Sequence, residues 1–503
     1  MCPCTSFDHP LVADNRLNSL AEIQCWLILF NMMGDDADIA IHPNWADHVV
    51  LTLKPFLRQL PKICNPQLKL HIWSDCAGLC SEMCAADEIE RALRDHCDAD
   101  IKFVLHGACD SCPNSKKFII QNHNPKHWAS CIKERGADGH YMDTKGDAVA
   151  DKLPSSGIDI YVAGWPCQPF SHRGKRKGGD DPRADIVWSV IDAIKLMSPA
   201  FFILENVVAV QDARDDFWDR VQQKFRTDVS NYNIVTMNNV SPLSHGYPAV
   251  RPRMKLIGAR ADVCSLDKVN LVINTLVANP LIPCNWMVLL GMRSPGLSWE
   301  QPVDIDVDAL NGCKCGVSPW IVCPAHPCKC NICKADSSKN GCLWRKSAAK
   351  FMEKRRYGDM IQNSLDKPQL SYVQLADLQG VDTPKQPRVR HMLNVLAESL
   401  PEADPLADTV AIVDITQSLE RQPWKLDGTV PPIATNTVLW SLMLGKCLTT
   451  KQTAELMGHR FADGRTDFAT ISKTAQKTLI GNSIHVAVIG SLMIAEIAMA
   501  CPS

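Results

Sequence analysis

Short apolar, β-branched runs recur along the chain at 68–74 (LKLHIWS), 101–106 (IKFVLH), 158–163 (IDIYVA), 201–205 (FFILE), 233–237 (NIVTM) and 254–259 (MKLIGA). Their length and composition predict buried strands. Between several of them, at 81–95, 184–197 and 209–226, apolar positions recur at helical spacing. This alternation predicts an α/β fold with a doubly wound sheet and ligands at the carboxyl ends of its strands. Residues 1–66 read as a helical N-terminal extension with Trp26 and Trp45 as core anchors. From 262 to about 444 the alternation gives way to a region richer in Pro and Cys, and helical patterns return over 445–503. The core domain is therefore expected at 67–261.

Composition narrows the class. Of 503 residues, 46% are hydrophobic and 21% charged, enough apolar material for a sizeable core and too much for a disordered chain. A net charge of −2 excludes attachment to nucleic acid by overall charge, so such binding would need a local basic surface. The N-terminus, MCPCTSFDHPLVADN, does not read as a secretory signal. The longest apolar stretch, Ile484 to Cys501, contains His485 and Glu496 and reads as an amphipathic core helix rather than a membrane span. No membrane partner is expected, and a reducing compartment is, so the 23 cysteines should be core residues, metal ligands or a nucleophile.

One stretch concentrates candidate chemistry: IDIYVAGWPCQPFSHRGKRKGGDDPR. Cys167 follows a strand, where backbone dipoles and nearby cations can favour thiolate over a thiol of ordinary pKa about 8.5. Arg173, Lys175, Arg176 and Lys177 with Gly174, Gly178 and Gly179 suit a loop that closes over phosphates. Taken singly, Cys167 reads as one structural thiol among many, Glu205 as a helix cap, Arg251 and Arg253 as surface cations and Asn482 as another cap.

Taken together, Pro166-Cys167-Gln168-Pro169-Phe170-Ser171, Glu205-Asn206-Val207, Arg251-Pro252-Arg253 and Gly481-Asn482-Ser483 resemble, in order and spacing, the motif blocks of cytosine-5 DNA methyltransferases. The resemblance covers about 67–260 and 445–490. It implies a Rossmann-like S-adenosylmethionine-dependent methyltransferase fold with a separate Cys-rich target-recognition region, acting on double-stranded DNA. It assigns Cys167 to attack on C6 of a flipped-out cytosine and Glu205 to protonate or hydrogen-bond N3. Arg251 and Arg253 would orient the base carbonyl and Glu205. The residue types suit that chemistry, because C5 of cytosine is a poor nucleophile until a thiolate adds at C6, and acid assistance of this kind is typically worth about 10²–10⁴-fold. Base flipping costs a few kcal/mol.

For the cofactor, the resemblance implies Asp75, Ala77 and Gly78 at the first turn, with Cys76 and Cys80 standing where the family has an aromatic residue and a glycine. Asp110 is implied as a ribose partner, although strict alignment puts Ala108 at that acidic position. Asp147 is implied near the adenine amino group, Pro166 and Ile186 beside the catalytic loop, and Asn482 and Ser483 near the end; Ala249 replaces the family's glutamine. Thr449, Thr450 and Glu455 resemble the block that packs the recognition region onto the core. Two other readings stay open: transfer-RNA cytosine methylation, although the Cys-Phe-Thr tripeptide of that branch is missing, and an inactive DNA-binding homologue. A nuclear location is expected in a eukaryote, a cytoplasmic one otherwise.

The remaining cysteine feature is CKCGVSPWIVCPAHPCKCNICKADSSKNGC. Cys313, Cys315, Cys323, His326, Cys328, Cys330, Cys333 and Cys342 offer eight soft ligands, enough for two tetrahedral zinc sites or one with bystanders; a loop of reduced thiols is the alternative. Arg345, Lys346, Lys350, Lys354, Arg355 and Arg356 follow, either facing phosphates or forming a solvated helix face.

Overall fold

The computed structural model describes residues 42–290 and 411–502, apart from 65–66, 137, 172–175, 213–215, 419–420, 442–445 and 462–466, together with Val389, Met392, Leu393 and Leu396. Trp26 and the zinc-ligand candidates from Cys313 to Cys342 lie outside the described residues.

Nine strands form one sheet: β1 (Leu68–Asp75), β2 (Ile101–Cys109), β3 (His127–Ala129), β4 (His140–Asp143), β5 (Val149–Lys152), β6 (Ile160–Ala163), β7 (Phe201–Asn206), β8 (Tyr232–Val240) and β9 (Arg253–Arg260). Their order is β5-β4-β3-β2-β1-β6-β7-β9-β8. β1 pairs in parallel with both β2 and β6, so the winding reverses at β1. That reversal opens a crevice beyond the carboxyl ends of β1 and β6. All six strands expected from the apolar runs are present. The sequence reading lacked β3, β4 and β5, which are short; β5 is mostly exposed and so has no apolar signature.

The helices expected at 81–95 and 184–197 appear as Ser81–Cys97 and Ile186–Met197. The one expected over 209–226 is instead a short 3-10 turn, Val208–Gln211, and a helix confined to Phe217–Asp228. The polar segment DARDD at 212–216 offers the sheet no apolar face. Ile186–Met197 and Phe217–Asp228 cover one side of the sheet, their buried residues joining Phe202, Leu204, Met254 and Leu256. On the opposite side, Trp45–Leu53, Ser81–Cys97, Leu266–Ala278 and Val486–Ala500 pack on Ile160, Val162, Ile203 and Ile257. Trp45 is fully buried there. A four-stranded sheet of short strands, from Ile412–Asp414 to Lys446–Cys447, belongs to the described stretch that begins at residue 411.

The C-terminal helix departs from the expected amphipathic pattern, because every residue from Val486 to Met499 is buried. It lies among the helices Trp45–Leu53, Ser81–Cys97 and Leu266–Ala278, leaving no face for solvent. No single described helix is long and apolar enough to cross a membrane. Glu496 is fully buried in this helix, and among the described residues neither carboxyl oxygen has a hydrogen-bond partner. Burial pushes its pKa well above the usual carboxylate range. The folded chain therefore holds Glu496 neutral, while the unfolded chain ionises above about pH 4.3, so this group removes stability as pH rises from there. Glu496→Met is expected to stabilise the protein by about 1–3 kcal/mol. The gain should grow between pH 4 and pH 8 in urea titrations; a gain that is flat with pH would contradict a neutral, buried carboxyl.

Candidate active site

Cys167 lies just beyond β6, half-buried, and its carbonyl accepts from the Phe170 and Ser171 amides in a tight turn. Glu205 comes from β7, 7% exposed, on the sheet face shared by Ile203. Gly164, just past β6, lies beside it: an added Cβ would stand in ordinary contact, 3.5 Å from Glu205 Oε2. β9 runs antiparallel beside β7, and its Arg253 places Nε 3.0 Å from Glu205 Oε1. Cys167, Glu205 and Arg253 thus converge from three adjacent strands.

The electrostatics correct one expectation. The Cys167 thiol is pushed up, not down: burial is the main cause and the Glu205 charge adds to it, against weaker opposing pulls from Arg253 and Arg251. The resting group is a thiol. Neutralising Glu205 would remove the largest charge that opposes ionisation and leave both arginines to favour thiolate.

Arg251 lies within electrostatic reach of Cys167 and also makes contacts that spacing alone did not announce. It is 5% exposed and donates to the carbonyls of Ile433 (2.7 Å), Gly481 (3.2 Å) and Ser483 (2.9 Å). Its guanidinium bolts the C-terminal return and the 433 segment to the core, while Arg253 Nε meets Glu205. Gly481 is required at that junction, since a Cβ would lie 2.2 Å from the Ala434 carbonyl carbon. Asn482 is exposed and Ser483 buried. Thr449 caps the helix Thr450–Glu455, accepting from the Gln452 amide while the Gln452 side chain reaches back.

At the crevice, the turn after β1 has three residues in the left-handed region: Cys76 (φ 53°), Gly78 (φ 56°) and Cys80 (φ 52°). For the two cysteines this costs about 1 kcal/mol each, which explains why a glycine suits the position of Cys80. Nothing lies within 4 Å of where a Gly78 Cβ would be. Asp110, just past β2, accepts from the Gly78 amide and the Cys112 amide, both at 2.8 Å, so it clamps the first turn to the second strand. Burial raises its pKa despite these bonds.

Asp75 proves to be structural in its contacts. It is fully buried and receives Arg135 through two nitrogens (2.8 and 2.9 Å), Tyr161 Oη (2.7 Å) and Trp73 Nε1 (2.9 Å). Pro166 and Ile186 flank the Cys167 turn and the start of Ile186–Met197, both half-buried. Asp147 sits exposed in the turn between β4 and β5. Beside Cys167, a cleft of ≈ 210 Å³ is lined by Pro169, Phe170, Arg176, Lys177, Val210 and Asp212 among others. Of the basic loop, Arg176 pairs with Asp212 at 3.2 Å; Arg173 and Lys175 lie outside the described residues. Sequence reasoning missed Arg135 and Lys255. Lys255 alone had a signal, as the third cation alternating along Arg251-x-Arg253-x-Lys255.

Comparison with known proteins gives a family match over part of the chain. Residues 114–276 match the family model described as C-5 cytosine-specific DNA methylase. That stretch contains Cys167, Glu205, Arg251 and Arg253 and stops short of the β1 turn. The Bacillus subtilis type II methyltransferase M.BsuFI is 47% identical over 117 residues, 21% of this chain and 25% of that protein. The Psychrobacter type II methyltransferase M.PspPI is 25% identical over 147 residues, 29% of this chain and 35% of that protein. The chain therefore spans about a third or less of the length of these curated relatives. Among solved structures, the Entamoeba histolytica methyltransferase EhMeth aligns over 86% of this chain and 98% of that chain, at 12% identity and a TM-score of 0.39.

Proposed function

We infer that this chain, whose residues 114–276 belong to the C-5 cytosine-specific DNA methylase family, transfers a methyl group from S-adenosylmethionine to C5 of cytosine in double-stranded DNA. The observation that carries the reading is the convergence of Cys167, Glu205 and Arg253 from three neighbouring strands onto one buried point. Glu205, held by Arg253 Nε, meets the cytosine N3 of a flipped-out base. The proton that leaves the Cys167 thiol passes to the Glu205–N3 pair, which neutralises Glu205 and lowers the cost of ionising Cys167. The Cys167 thiolate then adds to C6, leaving C5 electron-rich. S-adenosylmethionine, when bound, supplies the methyl group. Loss of the C5 proton and departure of Cys167 regenerate the enzyme.

The crevice fits such a cofactor. The space above Gly78 is open, and Asp110, with one amide donor on each of its two oxygens, retains capacity to accept from a ribose hydroxyl. Ala77, Gly78, Asp110, Pro166 and Ile186 would hold it. Asp75, already bound four times, would instead support the turn from beneath. Zinc bound by the 313–342 cluster and a nuclear site of action in a eukaryote belong to the same reading.

Incubation with methyl-labelled S-adenosylmethionine and either duplex DNA or transfer RNA tests it. Label is expected at C5 of cytosine in the duplex. Label confined to transfer RNA would move the substrate to RNA, and cofactor binding without transfer to either would leave a binding protein.

A further inference from the structure

Lys255 is a buried cation that the reaction above does not use. It is 1% exposed, in the middle of β9. The β7–β9 ladder sets it directly opposite Glu205. In an antiparallel pair, residues in register project from the same face with Cβ atoms about 5 Å apart. Strand alternation agrees: Met254 and Leu256 pack on one side of the sheet and Ile257 and Ala259 on the other, so Arg253 and Lys255 share the Glu205 side. Glu205 thus has Arg253 at one end and the Lys255 ammonium across the ladder.

We propose that Lys255 is a positioning residue for Glu205, its charge setting the pH range over which Glu205 can hold the proton shared with cytosine N3. This rests on the reading of Glu205 given above. A lysine buried this fully without a functional demand is uncommon, because the interior disfavours an ammonium. Here burial lowers the Lys255 pKa to about 8, with Arg253 and Arg251 adding to the fall and Glu205 opposing it. The groups facing it are Glu205 on β7, Arg253 on its own strand, Arg251 on the lead-in, and His245 from the turn after β8. Cys167 stands beyond Glu205.

The sign follows from charge. Protonated Lys255 favours the carboxylate form of Glu205 and so works against proton sharing with N3. As pH rises through about 8 that charge is lost, and the carboxyl becomes easier to protonate. Loss of the Lys255 charge thus removes one obstacle to proton sharing at the alkaline end of the range.

Two variants and two readouts test this. The ratio of the Lys255→Met rate to the wild-type rate should exceed one near pH 7 and decline toward a constant above pH 9, where wild-type Lys255 is itself neutral. Lys255→Arg, charged throughout, should track wild type near pH 7 and fall below it above pH 9. Loss of packing alone would shift both ratios equally at all pH values, and two flat ratios overturn the proposal. The second readout needs no turnover. In protein labelled with ¹³C at the glutamate carboxyl, with Glu205→Gln used to assign the resonance, the Glu205 midpoint should rise by about one pH unit in Lys255→Met. An unchanged midpoint overturns the proposal. A wild-type chain that methylates nothing would instead overturn the reading of the site, and the titration would still decide the role of Lys255.

Discussion

Cys167→Ser is expected to abolish methyl transfer, with a loss on the order of 10⁴-fold or more in kcat and little change in DNA affinity. A serine hydroxyl is far harder to ionise than a thiol, and among the described residues Glu205 is the acidic group coupled to Cys167. The wild-type thiol is already held up by burial and by the Glu205 charge. Two measurements therefore belong together. Methylation by Cys167→Ser at a tenth of the wild-type rate or better would sink the nucleophile assignment. Alkylation of Cys167 by iodoacetamide should be slow near pH 8 and faster in Glu205→Gln, because that change removes a charge opposing the thiolate. Slower alkylation in Glu205→Gln would contradict the coupling on which the proposed activation depends.

The largest loss of stability is expected from Asp75→Ala, about 3–5 kcal/mol. Arg135 has a side chain 3% exposed, and this substitution leaves its charge buried without its carboxylate partner. Tyr161 and Trp73 lose their acceptor as well. Replacing Asp75 and Arg135 together with apolar residues should cost clearly less than the two single changes added. The pH dependence has a definite sign. Burial alone would raise the Asp75 pKa, but the Arg135 charge and the hydrogen bonds from Arg135, Tyr161 and Trp73 hold it below the usual range. Its contribution is thus present above about pH 4 and lost as pH falls through the folded-state value. Wild type should lose that increment on acidification, whereas Asp75→Ala should lack it at every pH. Urea midpoints between pH 3 and pH 7 decide the matter; an Asp75→Ala loss under 1 kcal/mol would remove the network from the account of stability.

Asp75 also shows how sequence and structure divide the site. Its position at the end of the first strand was legible, because an apolar run followed by Ala77-Gly78 marks a strand and a turn. Its occupation was not. Arg135 lies 60 positions away, between strands too short to announce themselves, and only the winding of β1 beside β6 brings Tyr161 to the same carboxyl. Arg251 and Arg253 behave alike. Spacing by two fixes which strand face they share, but not that one guanidinium reaches three carbonyls while the other meets Glu205.

The main strands of the sheet, the helices between its first strands and the placement of Cys167, Glu205 and Arg253 at strand ends were all written in the chain itself, since hydrophobic period and strand length are local properties. Which charges face one another was settled by the folded arrangement. That arrangement set the resting Cys167 as a thiol, committed Asp75 and Arg251 to the scaffold, and put the Lys255 ammonium opposite Glu205. A charge's protonation state depends on neighbours and burial, and both are assembled from residues distant along the chain.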